Sequence, residues 1–158
     1  MICVGIDPGL TGAIAIIGVA VPIEIHDMPV SAKLAGKGQQ LNLAALHDML
    51  RGIDGEVWLE QVGPMPGQGV TSTWGFGRSV GQIEGVIAAL GLPILYVTPQ
   101  KWKKPLGLIG RDKDAARTLA IQRFPAVARL LSRKKDCGRA DALWIAYHGW
   151  TQAAKKAA

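Results

Sequence analysis

Three carboxylates stand where a solvated surface charge has no reason to be. Asp7 closes the apolar run "ICVGID" and is followed at once by "PGLTG". Glu60 follows "VWL" in "EVWLEQV", and Asp141 sits in "ADALWIAY", the opening turn of an otherwise apolar helix. Moving a carboxylate out of water is costly unless it is paired or binds a metal. Taken singly, each has a local alternative: turn amides for Asp7, an Arg or Lys for Glu60, the helix start for Asp141. Taken together, they would repel one another and require a cation. An all-oxygen donor set selects a hard ion, Mg²⁺ with Mn²⁺ as a substitute, rather than zinc. Two such ions about 3.5–4 Å apart activate water and stabilise the leaving oxygen of a phosphodiester. Most other acids, among them Asp27, Glu56, Asp112 and Asp114, lie in polar contexts and read as solvated charges or helix caps. Glu84, inside a glycine-rich helix, stays open.

The charge balance agrees with a polyanionic substrate. The chain carries 18 Lys and Arg against 12 Asp and Glu, a net charge of +6, with a pI of about 9.6. The cations cluster late: Lys101, Lys103, Lys104, Arg111 and Lys113, then Arg133, Lys134, Lys135 and Arg139 just before the Asp141 helix. That order sets positive charge beside the acids, where a phosphate must arrive, and predicts salt-sensitive DNA contact. In "TSTWGFGRSVG", Trp74, Phe76 and Arg78 stand beside a glycine-rich loop, where the aromatics could anchor the helix start. Gly77, Gly81 and Gly85 recur every four residues on one helix face. Each costs roughly 1 kcal/mol of helix stability relative to Ala, which makes sense if a second helix, from this chain or another, packs closely there.

The elements that must position these groups follow from periodicity. Residues 2–7, 13–18 and 22–27 read as three strands in a meander with short Gly/Pro connections. "SAKLAGKGQ", 31–39, reads as a mobile loop, and 40–52 as a helix with apolar positions at Leu41, Leu43, Leu46, Met49 and Leu50. A strand at 56–62, the loop "GPMPGQGVTS", a helix at 74–90 and the strand "PILYV" come next; from Thr98 the chain is mainly helical, with a last helix from about Arg139 to Ala154. This order implies an α/β fold: a five-stranded mixed sheet, antiparallel in its first three strands, flanked by helices on both faces. The length of 158 residues suits one domain, 1–158. Cys3 and Cys137 form no metal-finger spacing, and no signal peptide or membrane-length apolar run is evident, so a cytoplasmic protein is expected.

"GIDPGLTGAIAI", "VWLEQV", "VTPQKWKKPLGL", "DKDAARTLAIQRFP" and "GRADALWIAYHG", in this order over nearly the whole chain, resemble the RuvC-type Holliday-junction resolvases in their compact, phage-like form. The resemblance implies an RNase H-like fold, a homodimer paired through the glycine stripe, no small-molecule cofactor, and Mg²⁺-dependent paired nicking of four-way DNA junctions that leaves 5′-phosphates. It carries Asp7, Glu60 and Asp141 into catalytic, metal-binding roles, and it implies that Trp74 and Phe76, with Arg78 beside them, are candidate DNA-contacting residues that stack on an unpaired base at the junction centre, the alternative being that they anchor the helix start. The family's fourth ligand falls one helical turn before the last Asp, where this chain has Gly138. Asp136 is the candidate replacement, and His148, about two turns along the helix, the weaker one. The alternatives are a less selective nuclease on branched DNA or RNA–DNA hybrids, a non-catalytic junction-binding protein, and an ATP-binding actin-like module. The last is disfavoured by the short chain and the lack of a second phosphate loop.

Overall fold

A computed structural model describes residues 1–64 and 67–157. Met65 and Pro66 of the expected loop "GPMPGQGVTS" lie outside the described residues. Strands β1 (Ile2–Asp7), β2 (Ala13–Gly18) and β3 (Glu24–Asp27) form the expected antiparallel meander. A short pair, β4 (Val30–Ala32) and β5 (Gln39–Leu41), precedes α1 (Leu43–Leu50). Strand β6 (Gly55–Glu60), α2 (Val70–Ala89), β7 (Ile94–Val97), α3 (Pro99–Lys103), α4 (Lys113–Arg123) and α5 (Cys137–Ala157) complete the order, with short 3-10 turns between the last helices. The five-stranded sheet runs β3-β2-β1-β6-β7, with β1, β6 and β7 parallel.

Three expectations are corrected. Residues 31–39 are not a featureless loop: Val30 pairs with Leu41, Ser31 with Gln40 and Ala32 with Gln39. The Lys33 N–H also donates to the Gly38 carbonyl at 3.1 Å, closing the hairpin. Helix α2 begins at Val70 rather than at 74, and α5 at Cys137 rather than near 139.

The sheet separates two apolar layers. Alternation along β1 sends Val4 and Ile6 to the side of α1 and α2, with Ile14, Val57, Leu59, Ile83 and Ile87. Cys3 faces the other side, packed with α3, α4 and α5 through Trp102, Ala120, Leu143 and Trp144. Gly5 shares that second face. A Cβ there would lie 2.2 Å from the Ala146 backbone nitrogen and 2.3 Å from the Ala142 carbonyl oxygen, so only glycine lets α5 lie this close to β1. Arg139 then ties the start of α5 to the end of β3, donating to both oxygens of Asp27 at 2.6 and 2.7 Å. Trp144 packs in the core, 2% exposed.

Candidate active site

The register of the parallel pair sets the first two acids side by side. Ile6 pairs with Leu59, so Asp7 and Glu60 are the next residues along on neighbouring strands, which run about 4.8 Å apart. Beyond Asp7 the chain reverses tightly. Gly9 has φ +118°, open to glycine, and the Gly12 N–H donates to the Gly9 carbonyl at 3.2 Å. Gly12 has no room for a side chain, since a Cβ would stand 2.0 Å from the Asp7 carbonyl oxygen. The start of α5 abuts this turn: a Cβ on Gly138 would lie 3.1 Å from Asp7 Oδ2 and 3.1 Å from the Thr11 carbonyl oxygen. Asp141 follows three residues later on the same helical face. Asp7, Gly138 and Asp141 line one cleft of about 360 Å³, with Thr11 and Cys137 beside them.

The electrostatics of this end of the sheet are those of crowded negative charge. Burial, with the nearby Glu60 and Asp141 carboxylates, pushes the Asp7 carboxyl up to about 8. Burial raises Asp141 to about 6, with Glu60 adding to the rise and Lys103 and Lys113 opposing it. Glu60 is raised by burial against the pull of a hydrogen bond from Trp102 and of the Lys103 charge. Lys103 thus faces all three acids, and it lines the cleft. Among the described residues no donor hydrogen-bonds the Asp7 or Asp141 side chain. The local alternatives of turn amides and a helix-start cap are therefore not realised.

Glu60 is held differently. It is 8% exposed, and the Trp102 indole Nε1–H donates to its Oε1 at 2.8 Å. Rather than opening on the acid cleft, Glu60 borders a smaller hollow with Gln61, Glu84 and Tyr96. Trp102 is a site residue that sequence reasoning missed. Its signal was an indole set among lysines in "PQKWKK", because a buried indole needs an acceptor.

The donor chemistry suits a hard divalent ion: carboxylate oxygens raised by burial, with neighbouring carboxylates adding to the rise at Asp7 and Asp141. As they stand, no three His, Cys, Asp or Glu side chains among the described residues are close enough together to hold one. Asp136 does not join the group. It is 2% exposed, and Arg133 takes both its oxygens, through its backbone N–H at 2.8 Å and its guanidinium at 2.7 and 3.0 Å. These bonds hold its carboxyl below the usual carboxylate range. His148 lies edge-on to Trp58, ring centroids 5.4 Å apart, and does not line the cleft.

The basic residues divide in the same way. Lys103, Arg111, Lys113 and Lys135 line the cleft. Lys101, Lys104 and Lys134 are exposed outside it. Arg133 and Arg139 are engaged by Asp136 and Asp27. Trp74, 70% exposed, is no core anchor, and with Phe76 and Arg78 it lines a separate groove. Helix α2 buries Ser79, Ile83 and Ile87, while Gly77, Gly81 and Gly85 are exposed. Nothing among the described residues comes within 4 Å of where their Cβ atoms would be.

The fold has known counterparts. Thermus thermophilus RuvC superposes with a TM-score of 0.63 and 18% identity, covering 99% of this chain and 97% of that one. The chain has the RuvC fold. The same bacterium's RuvC in complex with a Holliday junction substrate matches with a TM-score of 0.63 and 17% identity, covering 98% and 96% of the two chains. In sequence, 87 residues are 39% identical to the chloroplastic Holliday junction resolvase MOC1 of Chlamydomonas reinhardtii, 52% of this chain but 9% of that protein. No protein-family profile matches the chain. Among the described residues, no helix is long and apolar enough to cross a membrane.

Proposed function

We propose that this chain is a divalent-metal-dependent endonuclease that resolves four-way DNA junctions by paired nicks leaving 5′-phosphates. The observation that carries the reading is that Asp7, Glu60 and Asp141, from β1, β6 and α5, lie within electrostatic reach of one another at one end of a RuvC-type sheet, each raised by burial. The names of the relatives, a RuvC bound to a Holliday junction and a junction resolvase, support the substrate class.

Asp7, Glu60 and Asp141 would hold the metal, Mg²⁺ or Mn²⁺, which supplies an activated water and stabilises the charge of the leaving oxygen. Trp102 fixes one oxygen of Glu60 and leaves the other to turn toward its neighbours. Lys103, Lys113, Lys135 and Arg111 border the acids and draw a DNA phosphate into the cleft. Trp74, Phe76 and Arg78 meet the opened centre of the junction, and the bare face of α2 at Gly77, Gly81 and Gly85 pairs with its twofold mate, so that two sites cut symmetric strands.

Asp7→Asn is expected to retain junction binding and lose nicking in Mg²⁺ or Mn²⁺, read by gel shift and by cleavage of labelled junctions. Undiminished nicking by that variant sinks the assignment. Gly138, which offers no ligand atom beside Asp7, favours a second reading, a junction-binding protein without cleavage. Failure of the wild-type protein to nick any four-way junction, fork or RNA–DNA hybrid with either metal selects it.

A further inference from the structure

Glu60 is the one acid of the three whose side chain a described residue holds by a hydrogen bond, and the donor is Trp102. The β6–β7 register explains how the two meet. Glu60 pairs with Val97, the last residue of β7, and the Gln61 N–H donates to the Val97 carbonyl at 2.9 Å. Helix α3 begins two residues later at Pro99, and the Lys101 N–H bonds back to the Thr98 carbonyl at 3.0 Å. Trp102 therefore lies beside Glu60 although 42 residues separate them in sequence. The ring is 1% exposed, packed in one apolar layer with Ala120 and Leu143.

Two parts of this ring are each occupied by a group of the site. An indole has a single N–H, which donates and cannot accept. That N–H meets Glu60 Oε1 at 2.8 Å. The ring face carries the Lys103 ammonium, 4.9 Å from the centroid and within cation–π reach. Consecutive residues of a helix point about 100° apart, so Lys103 does not fall on its neighbour's ring by default. The same lysine lines the acid cleft. Burial disfavours the charged form of Glu60, and the two influences that oppose it are the Trp102 hydrogen bond and the Lys103 charge.

We infer that Trp102 is a positioning residue for both halves of the chemistry, its indole N–H presenting Glu60 to the metal through one oxygen and its face presenting Lys103 to the DNA phosphate. A charge-assisted bond fixes the direction of a carboxylate as well as favouring its charge. A ring packed this tightly keeps the two groups in one fixed relation. Hydrogen-bond partners of metal ligands change metal affinity by about 10–100-fold when removed. Trp102 acts through Glu60, so its loss is repaired by more metal, whereas the loss of Asp7 removes a ligand outright.

The inference rests on the junction-nuclease reading, and the test separates the two. Trp102→Phe keeps an aromatic face and removes the N–H. Its Mn²⁺ affinity, measured by calorimetry without DNA, is expected to fall roughly tenfold. Its junction nicking should need roughly tenfold more Mn²⁺ and climb back toward the wild-type rate at saturation, a rescue that a merely structural defect would not show. By NMR, Mg²⁺ is expected to move the Trp102 indole N–H resonance, identified by its loss in Trp102→Phe, in the wild-type protein but not in Glu60→Ala. The Lys103 Hε protons are expected upfield of those of other lysines, because they lie over the ring. Trp102→Leu should lose that shift and weaken metal-free junction binding a few-fold, as Lys103→Ala does. Circular dichroism verifies that each variant folds; if Trp102→Leu does not, the Lys103 shift in the wild-type protein decides the second half. Wild-type Mn²⁺ affinity in Trp102→Phe, an indole resonance indifferent to Mg²⁺, ordinary Lys103 shifts, or a folded Trp102→Leu with wild-type junction affinity overturns the inference. A wild-type protein that takes up Mn²⁺ but nicks no branched DNA defeats the nuclease reading alone, and calorimetry and NMR still decide Trp102. No Mn²⁺ uptake by the wild-type protein overturns both.

Discussion

Asp7 and Asp136 both lie beside the start of α5, and their surroundings have opposite signs. Asp7 is crowded by Glu60 and Asp141 and rises to about 8. Asp136 is more deeply shielded, 2% exposed, yet its carboxyl is held below the ordinary range because Arg133 donates to both its oxygens. Burial alone therefore does not mark a ligand. A carboxylate with its own cation is finished, whereas one with only other carboxylates for company is open to an added ion. The same contrast separates the cations: Lys103 faces the acids without neutralising any one of them, while Arg139 is committed to Asp27.

The contrast can be broken by substitution, and the largest expected effect is on catalysis. Asp7→Asn should lower junction nicking roughly 10²-fold or more, the scale of losing one preorganised charge-stabilising group, with junction affinity kept. Asp136→Ala should do the reverse. It removes a buried cap and leaves Arg133 unpaired, costing about 1–3 kcal/mol in a urea titration, with nicking per folded molecule within a few-fold of wild type. A comparable loss of nicking in both variants would erase the distinction between the two acids.

The pH dependence of stability carries opposite signs in the two regions. A folded carboxyl raised above its unfolded value near 3.8 binds a proton that the unfolded chain has already released. Asp7 therefore makes the metal-free protein lose stability as pH rises from about 4 to about 8, and Asp141 does so up to about 6. The lowered carboxyl of Asp136 contributes stability that is present above about 3.8 and is lost as pH falls through its folded value. In EDTA, Tm should fall between pH 5 and pH 8. Asp7→Asn should recover roughly 3 °C or more at pH 8, and Mn²⁺ should recover it in the wild-type protein with release of protons. A metal-free Tm that rises over this range contradicts the crowding of the three acids.

The smallest expected effect sharpens the comparison among the cations. Lys135→Ala, at the cleft, should weaken junction binding a few-fold and reduce the slope of log affinity against log salt by about one. Arg133→Ala, whose cation already has a partner, should leave that slope nearly unchanged.

Much of this arrangement was legible in the sequence because its signals are local. Asp7, Glu60 and Asp141 interrupt apolar runs, and the strands holding the first two show the composition of buried strands. The hairpin at 30–41 was hidden because each of its strands has three residues and its turn is rich in Gly and Lys. The state of Asp136 was hidden for another reason. "SRKKDCG" shows a carboxylate near several cations, but which cation captures it depends on the 3-10 turn at 134–136, whose geometry no periodicity encodes. The Trp102–Glu60 bond joins residues 42 apart, a pairing visible only once β6 and α3 are placed.

Gly5 touches none of the acids, yet the gap between two of them is metered there. Because the backbone of α5 lies where a Gly5 methyl would be, adding that single carbon would act as a wedge under the helix, lifting Asp141 away from Asp7 while leaving every carboxylate oxygen in the chain. A Gly5→Ala protein would carry a complete inventory of donors at the wrong spacing.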